Sequence, residues 1–118
     1  MDNHLFDSEL KLMELLWERE PISAKELSLM AQTRIGWNKN TTYTVLKKLV
    51  AKGHVERSEP KFMCRSLISR EQVQRQETKG LLQRFFGGSK KALFSALLED
   101  ESMTPEELDA LRNMIEEH

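Results

Sequence analysis

Thr41, Thr44, Lys47 and Lys48 fall at helical spacing, so a helix would set two hydroxyls and two ammonium groups on one face. Such a face suits base edges in a DNA major groove and the phosphates beside it. The opposite face, with Thr42, Val45, Leu46, Leu49 and Val50, belongs in a core. Asn40 is the expected N-cap, and Gly53 is a good left-handed stop, which predicts a recognition helix over about 40–53. Threonine and lysine also cover the wet face of many ordinary amphipathic helices, so the neighbouring segments must decide between the two readings.

Charge is segregated along the chain. The 118 residues carry a formal net charge of -1. Between Arg34 and Arg65, however, Arg34, Lys39, Lys47, Lys48, Lys52, Arg57, Lys61 and Arg65 face only Glu56 and Glu59. From Glu99 onward the balance reverses, with Glu99, Asp100, Glu101, Glu106, Glu107, Asp109, Glu116 and Glu117 against Arg112. A polyanion would approach the middle of the chain and avoid its end. The basic run coincides with the proposed recognition helix and the segment after it, as expected of a nucleic-acid-binding surface.

The elements that must position this helix follow from period and caps. Leu5, Phe6, Leu10, Met13, Leu16 and Trp17 predict a first helix, capped by Asp7 or Ser8 and ending before Pro21. Pro21-Ile22-Ser23 is a short extended piece. Ser23 to Glu26 has the capping-box pattern of a second helix, which turns inward Leu27, Met30 and Ala31 and ends near Gly36. Beyond Gly53 the period changes to that of strands, 54–58 and 62–68, on either side of a Glu59-Pro60-Lys61 turn. Three helices followed by a hairpin predict a mainly α winged helix-turn-helix domain over 1–69. Arg57, Lys61 and Arg65 sit where a wing would meet phosphates, although charges on an exposed hairpin also serve solubility. Lys39 is placed beside phosphates next to the groove. Tyr43, at the edge of the apolar face, can pack against the hairpin and direct its hydroxyl to a phosphate.

A second capping box, Ser69 to Gln72, opens a long helix through Val73, Leu81, Leu82, Phe85 and Phe86. Gly87-Gly88-Ser89 breaks it. Leu93, Phe94, Leu97 and Leu98 mark another helix, and Thr104-Pro105-Glu106-Glu107 opens a last one, with Leu108, Leu111 and Ile115 on one stripe. Residues 70–118 hold more apolar stripe than these short helices can cover among themselves. They either fold back on the winged domain or pair with a second copy. The homodimer is favoured, because two recognition helices double the contact with DNA. Leu81, Phe85, Leu93, Leu97, Leu108, Leu111 and Ile115 are the expected dimerisation residues. Half-sites would then lie ~34 Å apart or a multiple of that.

Other classes are weaker. No run of about 18 apolar residues offers a membrane span, and Met1-Asp2-Asn3-His4 opens no signal segment, so a soluble cytoplasmic protein is expected. Cys64 is the single cysteine, which rules out an internal disulfide; on a strand, a small buried hydrophobe is a simpler role for it than a ligand. His4, His54 and His118 are too scattered for zinc, so neither metal nor cofactor is expected. No phosphate-binding glycine loop, paired-carboxylate site or nucleophile and base suggests an enzyme. The alternative function is a winged-helix protein-interaction adaptor that binds no specific DNA sequence.

The chain resembles, over almost its whole length, the penicillinase-repressor family of bacterial transcription regulators. The resemblance is carried by Trp37 to Gly53, by Phe85-Phe86-Gly87-Gly88 and by the stretch from Thr104 to Leu111. It implies a homodimer with an N-terminal winged-helix domain and a C-terminal helical dimerisation domain, repressing by covering a palindromic double-stranded operator. In the family's copper-responsive branch a C-terminal pair of Cys-x-Cys motifs binds metal; this chain closes Asn113-Met114-Ile115-Glu116-Glu117-His118 without cysteine. In the β-lactam branch a membrane sensor protease triggers cleavage at an Asn-Phe bond, and Ala96-Leu97 stands at the corresponding place. That pair departs from the pattern, as does Arg65, where relatives tend to carry an aromatic residue.

Overall fold

Helix formation starts two residues after Leu5. In the computed structural model, which describes residues 4–117, α1 (Asp7–Arg19) is preceded by Phe6 in extended conformation. The cap is therefore Phe6, not Asp7 or Ser8. Glu9 supplies the missing acceptor: its Oε1 takes the Phe6 N–H at 2.9 Å. The buried stripe also differs from expectation, because it runs through Leu5, Glu9, Leu12, Met13, Leu15 and Leu16. Phe6 precedes the helix and stays 63% exposed, and Leu10 lies outside the stripe. A polar Glu9 within the apolar register hid the true phase of the helix. Met1–Asn3 and His118, weighed above for a signal segment and for zinc, lie outside the described residues.

After α1 come β1 (Ile22–Ser23), α2 (Ala24–Arg34), α3 (Lys39–Ala51), β2 (Val55–Ser58) and β3 (Met63–Ser66). The Ser23 hydroxyl caps α2 by accepting the Glu26 N–H at 3.1 Å, as its pattern predicted. The hairpin is present, and β1 adds to it: the sheet is antiparallel with order β1-β3-β2. Ile22 stands opposite Cys64, and Arg57 stands opposite Cys64 on the other side. The extended piece after Pro21 thus covers the inner edge of the hairpin. Glu20 reinforces this junction, its carboxylate accepting from both the backbone and the hydroxyl of Ser66 at 2.8 Å.

One core joins these elements. Leu12, Met13 and Leu16 of α1, Leu27 and Ala31 of α2, and Val45, Leu46 and Leu49 of α3 close on Val55, Cys64 and Ile68. Trp17 packs partly buried against this core and donates its indole N–H to the Ile68 carbonyl at 3.0 Å. Cys64 is fully buried, and burial pushes its thiol above the ordinary value, so it serves as a small hydrophobe. The fold is mainly helical with a small antiparallel sheet, a winged helix.

The chain divides into two compact units, one reaching Glu77 and the other starting at Thr78. α4 (Arg70–Phe86) runs through that boundary; its start carries the reciprocal Ser69–Gln72 box, and Val73 is its buried residue. In the second unit, Gly87 and Gly88 take positive φ values, which end α4, and Ser89 caps α5 (Lys90–Leu98) by accepting the Ala92 N–H. α6 (Pro105–Glu117) opens on a reciprocal Thr104–Glu107 box, both bonds at 3.1 Å. Neither α5 nor α6 contains a buried residue. No helix of the described residues is long and apolar enough to cross a membrane.

Candidate nucleic-acid interface

The start of α3 sets the phase of the candidate face. Asn38, not Asn40, is the N-cap, and its Oδ1 accepts the Thr41 N–H at 2.8 Å. Both asparagines are competent caps. Capping at Asn38 brings Lys39 and Asn40 into the first turn, where no acid is present. The positive end of the helix dipole and the Lys39 ammonium therefore add. The expected stop is present, with Lys52 at the C-cap and Gly53 at φ 81°.

Thr42, Val45, Leu46 and Leu49 are buried, with Val50 partly so, and Thr41, Thr44, Lys47 and Lys48 lie together on the exposed side. The Lys39 ammonium is 5.7 Å from the centre of the half-buried Tyr43 ring. On the hairpin, Arg57, Lys61 and Arg65 are all exposed. Arg57 places its guanidinium 3.9 Å over the ring of Phe62, a residue held at φ 52°. Arg65 is paired across the strands with Glu56 at 2.9 Å, which raises its already high pKa further.

The basic run is thus less uniform than its sequence. Arg34 is held bidentately by Glu18, at 3.0 and 2.9 Å, and the Lys52 ammonium lies 2.7 Å from Glu9. With Arg65 bound to Glu56, these three cations are answered by acids. Lys39, Lys47, Lys48, Arg57 and Lys61 make no ion pair among the described residues. All five lie on α3 or on the hairpin and its turn. Sequence reasoning missed Glu9, Asn38 and Phe62. The aromatic residue beside Lys61 at the hairpin tip was a usable signal for Phe62; Glu9 offered none.

In the second unit, Phe85 is 70% exposed, and Leu81, Leu97 and Ile115 are exposed as well. Leu93, Leu108 and Leu111 are half-buried. Ala96 and Leu97 occupy the exposed last turn of α5. Among the described residues no group of three or more histidine, cysteine or acidic side chains could hold a metal ion.

Comparison with known proteins finds relatives along nearly the whole chain. The methicillin resistance regulatory protein MecI of Staphylococcus aureus strain N315 is 23% identical over 120 aligned positions, covering 98% of either chain. The penicillinase repressor of Bacillus licheniformis is 25% identical over 114 positions, covering 95% of this chain and 89% of its own. The penicillinase repressor of Staphylococcus aureus is 24% identical over 110, covering 92% and 87%. The family model described as penicillinase repressor matches residues 5–117. A match that extends across both compact units, on a winged-helix fold, places this chain in the penicillinase repressor family.

Proposed function

We propose that the protein is a homodimeric transcriptional repressor that covers a palindromic operator. Residues 1–69 form the DNA-binding domain and residues 70–118 the dimerisation domain. α3 enters the major groove with Thr41, Thr44 and Lys48 at base edges. Lys39, Lys47, Arg57 and Lys61 meet the flanking phosphates, with Tyr43 beside them and Arg65 on the second strand of the wing, β3. The observation that carries this reading is the acid-free outer face of α3, whose lysines have no ion-pair partner among the described residues. Relatives named as repressors of penicillinase support the regulatory role.

Mobility shift against a fragment of the chain's own promoter, across a salt series, tests it. With about eight phosphate contacts per dimer, affinity should fall with a log–log slope near −7, roughly 10⁴-fold between 50 and 200 mM salt. Salt-independent binding, or none at any salt, would exclude the DNA reading.

The dimer is proposed on the exposed apolar residues of the second unit. Leu111 and Ile115 line one groove with Leu98 and Leu108. A glutamate there would replace apolar contact with a carboxylate that must be desolvated on pairing, so Leu111→Glu should halve the mass seen by sedimentation. An unchanged mass, with intact helicity, would place the dimer contact elsewhere. For induction, we propose that a membrane sensor protease initiates scission at Ala96-Leu97, in a helix end that can fray. Co-expression with the cognate sensor and its inducer should yield a fragment ending at Ala96, and a persistently intact chain would refute this route.

A further inference from the structure

Between α3 and the hairpin lies a groove of about 390 Å³, which is within the range of small-ligand sites. Leu46, Val50, Ala51 and Phe62 give it apolar walls, and Lys47 and Arg57 stand on it as the charged groups. No acid lines it. Neither cation has an ion-pair partner among the described residues. The Arg57 guanidinium carbon lies 3.9 Å over the Phe62 ring, and the group makes no ion pair among the described residues, so its N–H donors can meet a planar anion.

We propose that this groove binds a small aromatic carboxylate, with the ring on Leu46, Val50 and Phe62 and the carboxylate between Lys47 and Arg57, and that such a ligand displaces DNA. An aromatic body suits the apolar walls and the partly exposed Phe62 ring, and the two oxygens of a carboxylate can accept from both cations. A cationic ligand would be repelled, and a small polar anion would leave the apolar walls wet. The displacement rests on the proposed function, because Lys47 and Arg57 serve there as phosphate contacts. Binding of the carboxylate itself does not.

The test uses the full chain labelled for amide NMR, with 1-naphthoate as probe and 1-naphthalenemethanol as its uncharged counterpart. Naphthoate should shift the amides of Lys47, Ala51, Arg57 and Phe62, with a Kd of about 1 mM for a ligand of this size. Arg57→Gln should weaken naphthoate about tenfold and leave the alcohol unchanged. Ala51→Trp, on the exposed side of the helix, should fill the groove and abolish binding, provided the remaining spectrum shows a folded chain. Equal binding of alcohol and naphthoate, or naphthoate binding indifferent to Arg57→Gln, would overturn the proposal. Shifts of the same amides on concentrating the protein alone would also overturn it, since a second copy would then fill the groove. If naphthoate fails while the promoter fragment binds, the groove proposal falls and the repressor reading stands. If naphthoate binds and the promoter fragment does not, the repressor reading falls and takes the displacement with it. If both bind without competing, the displacement alone is refuted.

Discussion

Replacing Thr44 and Lys48 together with alanine should lower operator affinity by about 10³-fold and leave the fold intact. Four contacts disappear per dimer, and each contributes ~1 kcal/mol at the low end of groove and phosphate contacts. Both side chains are exposed and alanine is a strong helix former, so α3 should persist. The single variants separate the two kinds of contact. Thr44→Ala should lose affinity for operator far more than for unrelated DNA. If Lys48 reads a base, Lys48→Ala behaves in the same way; if it meets a phosphate, the loss is uniform and the salt slope shrinks by about 2 per dimer. A double variant that binds like the wild type would remove α3 from the interface.

The second large effect concerns stability. Lys52→Met should cost about 3 kcal/mol at neutral pH, because it leaves the Glu9 carboxylate buried without its ammonium partner. Glu9 is 2% exposed while the Lys52 side chain is 33% exposed, so the lower end of the range for a broken buried pair applies. Methionine keeps much of the stem, which lets the effect be assigned to charge. Burial pushes the Glu9 carboxyl up, but the Lys52 ammonium, the Phe6 N–H and the charge of His54 outweigh it and hold the pKa below the ordinary 4.5. With the folded pKa depressed, this stabilisation is present above about pH 4.5 and disappears as pH falls through the folded value. In Lys52→Met burial acts with less opposition, so the carboxyl takes up a proton more readily. The deficit against wild type should therefore shrink toward pH 4. Urea titrations at pH 7 and pH 4 measure both, and Glu9→Gln in the Lys52→Met background should recover part of the loss. A deficit equal at the two pH values would mean that Lys52 acts through packing alone.

These two sites differ in how far the sequence revealed them. The outward face of α3 was legible because its determinants lie within a few residues of one another. Apolar spacing defined the buried side, and the remaining positions could only be the exposed side. The caps at Ser23, Ser69 and Thr104 were legible for the same reason, each a bond between a side chain and a backbone three residues away. The choice between Asn38 and Asn40 was not, because either residue satisfies the local rule. The Glu9–Lys52 pair joins residues 43 positions apart, and in sequence Glu9 looks like any solvated glutamate of an amphipathic helix.

The sequence by itself determined the helical order, the hairpin, the inward stripe of α3 and the segregation of charge, all consequences of short-range periodicity and capping. Tertiary structure alone decided which of the basic residues stay free. Folding brings Glu18 to Arg34, Glu9 to Lys52 and, across the hairpin, Glu56 to Arg65, leaving Lys39, Lys47, Lys48, Arg57 and Lys61 without acidic partners among the described residues. It also added β1 to the sheet and set Arg57 on Phe62. The physical reason is range: a charge run is a property of the chain, whereas neutralisation requires an opposite charge within about 4 Å, and two of these partners arrive from α1 once the core has closed.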